Sequence, residues 1–126
     1  MTFSKSIRKV DRPIFDEAIK LRDDDKFSEA LILIEQLVPK YPQNNSLLMI
    51  AAHLHWEIGS LDIAASFFKS ATQVSPKSEK SSLGLFHCLW EMGKQVEALD
   101  EVKRFMSVSS SKEYMEIVRE INQGQN

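Results

Sequence analysis

A chain of 126 residues, 43% apolar and 27% charged, is long enough for one domain with a continuous core, because a chain of this size buries roughly 65–70% of its unfolded surface. Its single cysteine, Cys88, excludes an internal disulfide and makes a reducing compartment, the cytoplasm, the default location. The charge is +3 over residues 1–12 and −5 over the rest, which argues against nucleic acid as the main partner, since phosphate binding needs a concentrated basic face.

Taken in order, the first six residues carry no apolar run, so no signal peptide is expected. The basic arm reads as a solvated, frayed terminus, and residues 1–8 and 123–126 are expected to be mobile ends. The longest apolar stretches, near 30–34 and 47–52, are too short to cross a bilayer, so no membrane role is expected. Helices are predicted near 12–24, 27–40, 46–58, 61–74, 80–92, 95–107 and 112–122. Leu48, Ala51, Ala52 and His55 follow the 0, 3, 4, 7 spacing of one helix face, as do Ala64, Phe68, Ala71 and Thr72. Gly59 between them can end a helix in the left-handed conformation, and Ser60 is placed to cap the next. Pro76 ends that helix region, because the residue before a proline avoids helical geometry. Tyr114, Ile117, Val118 and Ile121 repeat the spacing in the seventh segment.

The dominant signal is an internal repeat. Ala30, Ala64 and Ala98 are spaced 34 residues apart. Each is followed four residues later by a bulky apolar residue (Ile34, Phe68, Val102), and twelve residues later by Pro42, Pro76 and then Ser110. Five residues earlier stand Asp25, Gly59 and Gly93. This period and order resemble the tetratricopeptide-repeat (TPR) family, whose helix–turn–helix units repeat every ~34 residues. The resemblance covers about residues 9–112. It departs from the family pattern where Ile14, Glu17 and Ala18 replace the usual Trp and Leu-Gly, and where repeat three lacks its closing proline. It implies an all-α, right-handed solenoid of three repeats, about 11–44, 45–78 and 79–112, with a capping helix at about 112–122, forming one domain over 1–126.

In that family the first helix of each repeat lines a concave surface. About 100° round from its core positions runs a second stripe. It reads Phe15, Ile19 and Arg22, then Met49, His53 and Trp56, then Leu83, His87 and Trp90. The next position is acidic in each repeat: Asp23, Glu57 and Glu91. A carboxylate near a helix C-terminus opposes the helix dipole. A partner with apolar anchors and Lys or Arg side chains would compensate it, with cations over the indole rings. The plainer readings are tryptophans that finish the packing between helices and acids that are simply solvated. Groove candidates are therefore Phe15, Ile19, Met49, His53, Trp56, Glu57, Leu83, His87, Trp90 and Glu91. Clamps for the acidic tails of chaperones need basic and amide side chains on this surface. Here those places hold Phe15, Ile19, Ile50, Lys80 and Gly84, of which only Lys80 fits.

No catalytic arrangement can be written. The four glycines build no phosphate-cradling loop, and His87 and Cys88, adjacent on a helix, point about 100° apart. Cys88 reads as a packing residue, and His55 as structural. A metal bridged by His53 and His87 is the lesser reading beside groove side chains, and Asp23-Asp24-Asp25 lacks the glycine and terminal glutamate of a calcium loop. No cofactor or metal and no enzymatic activity are expected. The leading expectation is an adaptor or chaperone-like protein-binding module. The alternatives are an immunity or antitoxin-like inhibitor of a toxin domain, and a self-assembly module that forms a homodimer.

Overall fold

The apolar spacing resolves, in a computed structural model describing residues 6–124, into seven helices. They are α1 (Arg12–Asp23), α2 (Phe27–Leu37), α3 (Asn45–Glu57), α4 (Leu61–Val74), α5 (Glu79–Glu91), α6 (Gln95–Val108) and α7 (Lys112–Gly124). Each packs on its neighbour in sequence, α1 on α2 through α5 on α6, so the chain is an all-α solenoid of helix pairs. The expected bounds hold to within a few residues, with one difference. The α-helix of α2 ends at Leu37, and Val38–Lys40 tightens into a 3-10 turn. Pro39 has no N–H to give the preceding turn, so the α ladder cannot pass it.

One turn serves all three pairs. Asp25, Gly59 and Gly93 stand at φ 60°, 87° and 77°. The following N–H groups of Lys26, Ser60 and Lys94 donate to the carbonyls of Leu21, His55 and Leu89 at 2.8 Å. This is the bond pattern that closes a helix through a left-handed residue. It corrects the expectation for Ser60, whose side chain makes no capping bond; its backbone N–H closes the motif instead. Side-chain caps lie at the other ends of the hairpins. Asn44 accepts from the N–H of Leu47 at 2.9 Å, Ser78 from Ser81 at 3.3 Å and Ser111 from Tyr114 at 3.1 Å.

Ala30, Ala64 and Ala98 are fully buried where paired helices cross, and their small side chains allow the close approach. Two apolar clusters result. One gathers Ala30, Ile34, Leu37, Tyr41, Leu47 and Leu54 at the first pair. The other gathers Ala64, Phe68, Phe86, Val102, Phe105 and Tyr114. Phe67 packs against both. Each buried large side chain contributes roughly 1.5–3 kcal/mol. Glu17, placed at a core position by the spacing, is exposed.

Two polar knots fasten the ends. At the start, the Tyr41 hydroxyl donates to Asp11 Oδ2 at 2.5 Å, and Lys40 Nζ reaches Oδ1 at 3.1 Å. The Arg8 N–H and Nε donate to the same hydroxyl oxygen. Arg8, expected in a mobile end, is thus tied down, and Gln123 and Gly124 are helical. The expectation for residues 1–5 and 125–126 lies outside the described residues. At the other end Ser82 Oγ gives its proton to Glu101 Oε2 at 2.6 Å, so the Tyr114 hydroxyl donates to Ser82 at 2.7 Å. Arg104 grips both oxygens of Glu101, at 2.8 and 2.7 Å. This chain of bonds moors α7 to α5 and α6, and burial pushes the Tyr114 phenol above its ordinary range. Among the described residues no helix is long and apolar enough to cross a membrane.

Candidate functional site

A groove of about 370 Å³ lies at the expected stripe, between α3, α5 and the start of α7. Met49, His53, Trp56 and Glu57 come from α3, Lys80, Leu83, Gly84 and His87 from α5, and Glu113 from α7. Of the ten candidate residues, six line it: Met49, His53, Trp56, Glu57, Leu83 and His87.

Beneath the lining lies Phe68 of α4, wholly buried. His53 meets its ring edge-on at 5.2 Å and Trp56 at 6.2 Å. Gly84 is what lets the ring lie so close, since a Cβ there would stand 2.3 Å from a Phe68 ring carbon. Trp56 is half-buried, with part of the indole packed on the core and part facing the groove.

The remaining four candidates lie elsewhere. Trp90 is half-buried and stacks on Phe86 at 5.6 Å and 26°. Glu91 is exposed at the end of α5. Phe15 lines a separate hollow of about 330 Å³ with Ile7, Arg12 and Asn44, and the Arg12 guanidinium stands over its ring at 5.3 Å. Ile19 is half-buried on α1, outside the lining of either hollow.

The groove is apolar below and charged above. Glu57 and Glu113 face it together with Lys80, and none of the three joins an ion pair among the described residues. Asp23, the acid of the first pair, is neutralised by Arg22 at 3.1 Å. Lost hydration against Phe68 holds the His53 imidazole below its ordinary value; Arg22 adds to this and Glu57 opposes it. This favours the neutral ring at pH 7. Cys88 lies beneath this face fully buried, its thiol pushed up to about 12 by burial, which leaves it without a thiolate at neutral pH. Among the described residues no group of three or more His, Cys, Asp or Glu side chains could hold a metal ion.

The sequence reading did not bring Glu113 to the groove or Phe68 beneath it, and it placed Lys80 and Gly84 on this surface without counting them among the candidates. Glu113 was hidden by a one-residue change of register. The cap of α7 is Ser111, thirty-three residues after Ser78, so Glu113 occupies the place of Lys80.

His55 sits on the opposite face of α3, stacked on Phe67 at 5.5 Å, with Nε2 at 3.8 Å from Glu35. Its Nδ1 is buried without a hydrogen-bond partner. The ring serves as a packing plane between α2, α3 and α4, in line with the structural role expected of it.

No protein-family model matches the chain, and no curated protein sequence matches it. Solved structures do. The chain superposes on the Sgt2 TPR domain from Aspergillus fumigatus with a TM-score of 0.74 at 19% identity, covering 100% of this chain and 90% of that one. It superposes on the first TPR of Spaghetti (RPAP3), bound to the HSP90 peptide SRMEEVD, with a TM-score of 0.75 at 17% identity, covering 91% and 92%. The Yersinia enterocolitica type III secretion chaperone SycD, in complex with a peptide of the translocator YopD, gives 0.74 at 13% identity, covering 93% and 90%. The chain therefore has the tetratricopeptide-repeat fold.

Proposed function

We propose that this chain is a non-enzymatic interaction module whose α3–α5–α7 groove holds an extended peptide segment with apolar anchors and a Lys or Arg side chain. One observation carries the reading: an apolar surface of Met49, Trp56 and Leu83, packed over the buried Phe68, lies with two carboxylates, Glu57 and Glu113, that form no ion pair among the described residues. A basic side chain would meet both acids, and its stem could lie along the Trp56 indole. Two similar structures, those of Spaghetti and SycD, hold peptides, which supports a peptide or protein as the ligand. The acidic SRMEEVD type fits this groove poorly, since Lys80 is the one lining cation.

The test is a peptide array read by fluorescence anisotropy at two salt concentrations. Segments alternating apolar and basic residues should bind and weaken with salt, while SRMEEVD should not bind. Trp56→Ala should weaken the best binder at least about tenfold, the usual scale of an aromatic hot spot. Glu57→Gln with Glu113→Gln should flatten the salt dependence. Binding that is indifferent to all three substitutions would move the site off this groove.

A further inference from the structure

The C-terminal end carries a second surface. Like α5, α7 begins at a serine cap, and on that register its residues are read thirty-three positions on. Met115, Val118, Arg119 and Asn122 then stand where α5 has Ser82, Leu85, Phe86 and Leu89, and where α3 has Leu48, Ala51, Ala52 and His55. In α3 and α5 all eight positions are buried, on the side that meets the second helix of the pair, α4 or α6. No second helix follows α7 among the described residues. Its stripe instead flanks an open groove of about 490 Å³ floored by Met106 and Tyr114. Met115 is 54% exposed, where Leu48 is 3%.

The other end of the solenoid is built differently. The positions that face a preceding pair, Leu47, Ile50 and Leu54 in α3, are Pro13, Asp16 and Lys20 in α1. All three are exposed, and Arg12 pairs with Asp16 at 3.6 Å across that end. A polar first end cannot cover an apolar last end, so head-to-tail stacking is disfavoured. The surface that matches the C-terminal end is the same end of a second copy.

We propose that α7 is a two-fold interface, pairing antiparallel with α7 of a second copy about an axis between Val118 and Arg119. Val118 of each copy then lies opposite the aliphatic stem of the other's Arg119, and Met115 opposite the other's Asn122. Arg119 of each copy comes beside Glu116 of the other, offset by roughly 3 Å along the helix at ~1.5 Å rise per residue. Among the described residues neither forms an ion pair, so the charges that the pairing needs are available to it. The interface is one helix wide, in the size range of weak, reversible contacts.

Sedimentation equilibrium of the full 126-residue chain, from about 1 µM to about 500 µM, tests this. The wild type should pass from monomer to dimer within that range. Arg119→Glu and Glu116→Arg, both at exposed positions, should each weaken association at least about tenfold. An equimolar mixture of the two variants should restore it, because both cross-copy pairs are again of opposite sign. Circular dichroism melts would confirm that each variant folds as the wild type does. A wild type monomeric throughout overturns the proposal; so do single variants that dimerise unchanged, or a mixture no better than its components. Trp56→Ala should leave the mass profile untouched, so this inference and the peptide groove fail separately.

Discussion

The first helix pair and the two that follow share a backbone plan and differ in what covers it. All three close their turns with the same bonds, yet the first does so through Asp25 and the others through Gly59 and Gly93. All three aim equivalent side chains at the concave face. In α3 and α5 the histidines, Trp56 and the long apolar Met49 and Leu83 form the groove over a buried phenylalanine, while Trp90 lies outside it. In α1, Phe15 lies in its own hollow under Arg12, and Asp23 is satisfied by Arg22. Repeat register fixes where a side chain points. Whether it becomes a site depends on what the neighbouring residues have already used up.

Gly84 gives the sharpest break between the two regions. Alanine there must displace the buried Phe68 ring, with three of its carbons within 2.3–2.6 Å of the new methyl. Overpacking of this kind costs about 1–3 kcal/mol, partly offset by alanine's better helix propensity, about 1 kcal/mol. A net loss of up to about 2 kcal/mol should appear as a lower thermal midpoint, with the His53 and Trp56 environments disturbed. The equivalent place in α1 is Asp16, exposed and paired only with Arg12 at the surface. Asp16→Ala should move the midpoint by a few tenths of a kcal/mol at most. Equal effects at the two sites would remove the distinction drawn here.

The Asp11 knot should make the first pair the acid-sensitive one. The Tyr41 hydroxyl first, then Lys40, holds the Asp11 carboxyl below its ordinary range. A carboxylate depressed in the fold contributes stability that is complete above its unfolded pKa, about 3.9, and is lost as pH falls through the folded value. Asp11→Asn should therefore lower the midpoint at pH 7, and the gap to wild type should close below about pH 4. A gap that persists unchanged at pH 2.5 would mean that the knot acts through shape rather than charge.

Much of this could be read in the sequence because helix pairs of fixed length leave a fixed period. The alanines mark the crossings, the residues at positive φ mark the turns, and the stripe of Met49, His53 and Trp56 follows from helix geometry. What escaped the reading came from packing between elements. Phe68 is on α4, Gly84 on α5 and Glu113 on α7, and nothing local says that they meet. Glu113 was further hidden by the single-residue shift at Ser111, and the open stripe on α7 by the same shift. Trp90 stacks on Phe86, one turn away, and lies outside the groove lining.

The smallest expected effect tests the comparison at the turn itself. Asp25 holds φ 60° where its two counterparts are glycine. A non-glycine residue in this region carries strain of about 1 kcal/mol, less for Asp than for most residues because its short side chain tolerates the conformation. Asp25→Gly relieves that strain and separates one charge from the run with Asp23 and Asp24. It also gives the unfolded chain more freedom, which works against the gain. The balance should be a stabilisation of about 0.5 kcal/mol, seen as a higher urea midpoint at unchanged slope. Gly59→Asp should lose a similar amount, because a Cβ at Gly59 meets nothing within 4 Å and the cost is conformational alone. If Asp25→Gly instead destabilises the chain, the aspartate side chain has a role in the first turn that glycine cannot fill, and the three turns are alike in backbone only.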